Sequence, residues 1–164
     1  MIIGKLQFVI NSFSKYFGMT GWRVGWLIVP EEYIQAIEKL AQNIFISTPS
    51  HSQYAAFDAE TLQELEKRRQ EFALKRDFLY AHLLRLGFKI PVKPAGAFYI
   101  YADCSKFTDN SQQFAEQLLE TEGVAVTPGK DFGYNDSDKY LRFSYTSSME
   151  NITEEMRRLE HFIL

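Results

Sequence analysis

Lys15 lies in the run NSFSKYFGMTGWRVGW, residues 11–26, with Ser12 and Ser14 just before it and Arg23 eight positions after it. A lysine that loses its proton is a nucleophile toward carbonyls and forms a Schiff base. A phosphate is held by hydroxyl donors, backbone N–H groups and the planar fork of an arginine. Ser12, Ser14 and Arg23 supply such donors around Lys15. A loop between two adjacent strands would turn all of them toward one point. Amine and phosphate cradle together suit an aldehyde that also carries a phosphate, and pyridoxal phosphate is the commonest biological one.

The flanking segments supply those strands. Leu6–Ile10 and Val24–Val29 are short, apolar and β-branched, so both read as buried strands, the second stopped by Pro30. Pro30 stands at an expected first helical position, followed by two acids, and Tyr33, Ile37, Leu40 and Ile44 recur at helical spacing. Ser50 is the expected N-cap of the next helical stretch, one long helix or two stacked ones ending at Leu86 and Gly87. Residues 88–103 predict two short strands around a Pro-Gly loop. Residues 111–123 predict a helix stopped by Gly123, Val124–Val126 a strand, 127–133 a loop and 139–146 a strand. A last helix carries Ile152, Met156, Leu159 and Phe162 on one stripe. Strands alternating with helices place the chain in the α/β or α+β class.

Bulk properties narrow the partners. The 164 residues suffice for one domain with a real core, and a net charge of −3 gives no reason to expect nucleic acid or an anionic membrane. No apolar run approaches the roughly 20 residues of a membrane helix. Cys104 is the single cysteine, which rules out an intrachain disulfide and fits a cytoplasmic location; it reads as a small core or loop residue. His51, His82 and His161 lack ligand spacing, so no metal site is expected. Phe98 and Tyr99 alternate faces of a strand, with core packing expected for both.

The run SFSKYFGMTGWRVG resembles the lysine signature of class I/II pyridoxal-phosphate aminotransferases, matching without gaps at Ser12, Phe13, Ser14, Lys15, Gly18, Met19, Gly21, Arg23, Val24 and Gly25. Further segments are similar in order: GWLIVPEEYIQAIEKLAQN to the strand and helix leaving the active site, PAGAFYIYAD to a small-domain strand, VAVTPGKDFG to the next strand and loop, and YLRFSYT to the strand that carries a substrate-binding arginine. The resemblance implies that Lys15 is catalytic and carries the cofactor. It assigns cofactor binding to Ser12, Ser14, Lys15 and Arg23, and the substrate α-carboxylate to Arg142. Read without that pattern, Lys15 is a surface lysine in a turn, Arg23 a strand-edge charge, Ser12 a turn cap, and Arg142 the partner of an acid across a sheet.

The implied reaction is transfer of an amino group between an amino acid and a 2-oxo acid, in a homodimer. The implied fold is an α/β aminotransferase-type C-terminal small domain, residues 31–164 with the linking helices. It would be preceded in residues 1–30 by the last two strands of a truncated large-domain sheet. In the family, the aspartate at the pyridine nitrogen and the other ring contacts precede the lysine. They match nothing in this chain, so a separate N-terminal partner is a further expectation. The alternatives are a non-catalytic folded fragment or assembly module, and a pyridoxal-phosphate lyase on the same scaffold.

Overall fold

The computed structural model describes residues 7–56 and 61–164. It is a mixed α/β structure of two compact units, Met1–Lys67 and Arg68–Leu164. No helix among the described residues is long and apolar enough to cross a membrane.

In the first unit, β1 (Val9–Ser12) and β2 (Gly25–Ile28) pair antiparallel, Val9 opposite Ile28 and Ser12 opposite Gly25. A Cβ on residue 25 would stand 2.6 Å from the Asn11 carbonyl oxygen, so the close pairing requires a glycine there. The expected first strand, Leu6–Ile10, is displaced: Leu6 lies outside the described residues, and the ladder runs on to Ser12. Val24 sits just outside β2: its carbonyl still accepts from Phe13 N–H (3.1 Å), but the Phe13 carbonyl accepts from Met19 N–H within the loop, and the ladder ends there. Neither strand is buried, contrary to expectation; Ile10 is 82 % exposed. Within this unit, Phe13 and Phe17 pack on Trp26 at ring distances of 5.0 and 6.5 Å, one aromatic cluster in place of a second apolar layer.

Pro30 is extended (φ −60°, ψ 147°) and precedes a 3₁₀ turn, Glu31–Tyr33, before α1 (Ile34–Ile44). It therefore caps rather than opens the helix: its φ suits either role, but its ψ does not continue a helix. The apolar stripe of α1 forms with Ile37 half-buried and Leu40 and Ile44 exposed. Likewise Pro49, not Ser50, is the N-cap of α2 (Ser50–Ala55); no side chain caps that end. Ser52 is buried instead and donates to the Trp22 carbonyl at 2.7 Å.

The second unit takes in most of α3 (Thr61–Leu86), so the stretch from Ser50 on is a short helix followed by a long one. Gly87 ends α3 with its N–H on the Leu83 carbonyl. The first of the two strands expected in residues 88–103 shrinks to one bridge between Lys89 and Asp103. Pro91 and Pro94 lack the N–H groups a ladder there would need. β3 (Tyr99–Asp103), β4 (Thr127–Pro128) and β5 (Tyr140–Ser144) form an antiparallel sheet in the order β3-β5-β4. Val124–Val126 is not a strand: Val124 is buried in the core, but pairing begins at Thr127. α4 (Ser111–Glu122) is capped by the Asn110 side chain, and α5 (Met149–Ile163) by Ser148.

Along β3 and β5 the faces alternate. Ile100, Ala102, Leu141 and Phe143 turn into a core shared with α3, α4 and α5. Tyr99 is on the other face and exposed, contrary to the expected core role, whereas Phe98 packs against the core. Cys104 is a core residue; burial pushes its thiol up to about 11, and Sγ donates to the Lys139 carbonyl. Leu141 is fully buried in the central strand. Leu141→Ala is expected to cost roughly 2–5 kcal/mol in urea unfolding, whereas Tyr134→Ala, on a fully exposed side chain, stays within about 0.5 kcal/mol. Equal midpoints would contradict this core.

Candidate active site

Lys15 lies in the loop between β1 and β2, where chain reversal depends on Gly18. The Gly18 N–H returns to the Lys15 carbonyl at 3.1 Å with φ 67°, a left-handed conformation that glycine adopts without cost. Met19 N–H closes a wider turn on the Phe13 carbonyl at 3.1 Å. The Lys15 side chain is exposed.

Three of the sequence-derived residues around it are tied together by hydrogen bonds. Ser12 Oγ donates to Ser14 Oγ at 2.9 Å, and accepts from Ser14 N–H at 3.0 Å. Thr20 Oγ1 donates to the Ser14 carbonyl at 2.8 Å, and Arg23 Nη1 donates to the Thr20 carbonyl at 2.9 Å. Thr20 thus links the serines to the arginine, a role its position in GMTGWR does not disclose. Arg23 itself is left-handed (φ 52°, ψ 48°). A non-glycine residue there stores strain of about 1–3 kcal/mol, and such strain concentrates where a side chain must be aimed.

This donor set fits a phosphate. Ser12 spends its one O–H on Ser14 Oγ, so the set offers the Ser14 hydroxyl and a guanidinium that commits one N–H to Thr20 and has further N–H groups to give. Among the described residues, no carboxylate forms an ion pair with Arg23.

Arg142 belongs to the second unit, on the face of β5 that turns away from the core. Its strand partners are Tyr101 on β3 and Thr127 on β4. Nη2 donates to Thr127 Oγ1 at 3.2 Å, and Cζ stands 4.6 Å from the Phe132 ring centre and 5.4 Å from that of Tyr99. Among the described residues no acid pairs with it across the sheet. A cavity of about 450 Å³ opens beside it, walled by Tyr99, Tyr101, Phe132 and Tyr134 among others. Tyr101 stacks on Tyr140 (4.8 Å, 6°), and burial, with Tyr140 beside it, raises the Tyr101 phenol above its usual range. Thr127, Phe132 and Tyr99 are not among the site residues that the sequence nominates. Their approach to Arg142 depends on the β4–β5 register and on the turn at Gly129–Phe132.

Known proteins resemble the chain along most of its length. Residues 4–159 match the family described as aminotransferase class I and II. The chain is 40 % identical over 158 residues to a (5-formylfuran-3-yl)methyl phosphate transaminase of Methanocaldococcus jannaschii, covering 94 % of this chain and 41 % of that protein. It is 40 % identical to a valine–pyruvate aminotransferase of Mycobacterium tuberculosis, with 92 % and 40 % covered. A crystal structure from Methanococcus jannaschii, described as similar in its active site to kynurenine aminotransferases, superposes with a TM-score of 0.90 at 39 % identity. That match covers 98 % of this chain and 43 % of the other. The chain spans about 40 % of the length of the curated relatives it matches.

Proposed function

The chain belongs to the class I and II aminotransferase family, and from that premise we propose that it forms part of an enzyme that moves an amino group between an amino acid and a 2-oxo acid with pyridoxal phosphate. Residues 1–30 would be its share of the cofactor-binding domain, and 31–164 the linking helices and small domain. The observation that carries the reading is the linked set Ser12, Ser14, Thr20 and Arg23 in the loop that bears Lys15.

When bound, pyridoxal phosphate supplies an aldehyde and a ring that draws electron density from the substrate α-carbon. The chain's own residues would supply the phosphate contacts, the amine and the carboxylate contact. Ser12, Ser14 and Arg23 would hold the phosphate, the guanidinium being tied to the loop by its hydrogen bond to the Thr20 carbonyl. The Lys15 amine would hold the cofactor through its aldehyde carbon, with loss of water, and as a free amine would take the proton from the substrate α-carbon. Arg142 orients the substrate by its α-carboxylate, since its planar fork matches a carboxylate with two parallel hydrogen bonds. The family's usual dimer is the proposed assembly.

The test is an assay of the protein that carries this segment, with added pyridoxal phosphate and panels of amino and 2-oxo acids. Amino transfer in stoichiometric pairs, lost in Lys15→Ala, is the expected result. Ammonia released without consumption of a 2-oxo acid would overturn it in favour of a lyase.

A further inference from the structure

We infer that Thr127, Phe132 and Tyr99 are positioning residues, which hold the Arg142 guanidinium ready as a fork for a carboxylate in the cavity they border. The inference rests on the reading of Arg142 as the carboxylate site.

An arginine on an open sheet face samples many rotamers and loses that freedom when it clamps a ligand, which weakens binding. Arg142 has given up the freedom in advance. Thr127 takes one N–H of Nη2, and the Phe132 and Tyr99 rings lie within 4.6 and 5.4 Å of Cζ. The ring contacts use no hydrogen-bond donor. Of the five N–H groups of the side chain, the contact to Thr127 commits one, and a carboxylate needs two.

The holders are themselves fixed by the fold. Thr127 is the register partner of Arg142 across β4 and β5, so its hydroxyl approaches on the same face. Phe132 ends the turn that starts at Gly129. A Cβ on residue 129 would lie 2.7 Å from the Tyr101 hydroxyl and 3.0 Å from the Tyr140 carbonyl oxygen. Only glycine lets the turn sit that close to the strands, and this seating brings Phe132 to Arg142. Tyr101 also meets the Phe132 ring edge-on at 6.2 Å.

The test uses the chain labelled with ¹⁵N-arginine. In the absence of ligand, the Arg142 Nε–H signal is expected to show a ring-current shift. Phe132→Leu should remove most of it, and Thr127→Val should speed rotation of the guanidinium. Methyl signals of the buried Leu118 and Ile152 should stay in place, showing an intact core. Binding of 3-phenylpropionate, a simple carboxylate probe, should weaken about 2- to 5-fold in each variant. It should be retained in Phe132→Tyr and Thr127→Ser, and lost in Arg142→Ala. An Arg142 signal unmoved by both variants would overturn the inference. So would probe binding that depends on Arg142 but is indifferent to Phe132→Leu and Thr127→Val, and there the carboxylate reading would stand. Probe binding unaffected by Arg142→Ala would overturn the carboxylate reading itself, and the positioning roles with it.

Discussion

Lys15→Ala is expected to abolish covalent capture of pyridoxal phosphate, while Lys75→Ala leaves capture unchanged. Any exposed amine condenses with an aldehyde transiently, so reactivity alone does not select a lysine. Selection comes from the second attachment point. Lys15 shares its loop with Ser12, Ser14, Thr20 and Arg23, which form one hydrogen-bonded set with donors suited to a phosphate. Lys75 lies on α3, with its ammonium over the Phe72 ring and no such set around it among the described residues. An absorbance titration of each purified variant, followed by gel filtration to strip loose cofactor, measures the difference. Retention by Lys15→Ala at the parent's level would contradict the assignment.

Arg23→Ala and Arg142→Ala are expected to fail in different ways. Arg23 is assigned to the phosphate, where a charge-assisted hydrogen bond contributes about 1.5–3 kcal/mol. Its loss should weaken pyridoxal-phosphate affinity roughly 10- to 150-fold. Arg142 lies in the other unit, against Thr127, Phe132 and Tyr99, and is assigned to the substrate carboxylate. Its removal should leave cofactor affinity within about twofold and weaken carboxylate binding by the roughly 10- to 150-fold range of a lost charge-assisted contact. Fluorescence titration with cofactor and with a carboxylate ligand separates the two. Equal loss of cofactor affinity in both variants would contradict the division of roles.

The β1–β2 loop is legible in the sequence because its determinants are consecutive. Hydroxyls, lysine, glycine and arginine all fall within twelve residues, and the left-handed turn at Gly18 is what the glycine is for. Thr20 is not legible, because its role depends on Arg23 turning left-handed, which residue types do not announce. The surroundings of Arg142 are less accessible still. Thr127 is fifteen residues away and reaches it only through the β4–β5 register, and Phe132 only because Gly129 seats its turn against Tyr101 and Tyr140.

The apolar run at Val124–Val126 reads as a strand because apolarity reports burial. Val124 is indeed buried, but the ladder belongs to Thr127 and Pro128. Tyr99 shows the converse. Alternation from Ile100 already puts it on the opposite face, and its aromatic ring suggests core where the period of two does not. Helix ends are blurred wherever proline is involved, since Pro30 and Pro49 both stand outside their helices in extended conformation.

The most direct test of Lys15 as the cofactor lysine is chemical. The chain is incubated with pyridoxal phosphate, reduced with borohydride, digested and mapped by mass. The expected result is one labelled peptide, carrying the pyridoxyl group on Lys15. Label spread over the other lysines, or concentrated on one of them, would contradict the account.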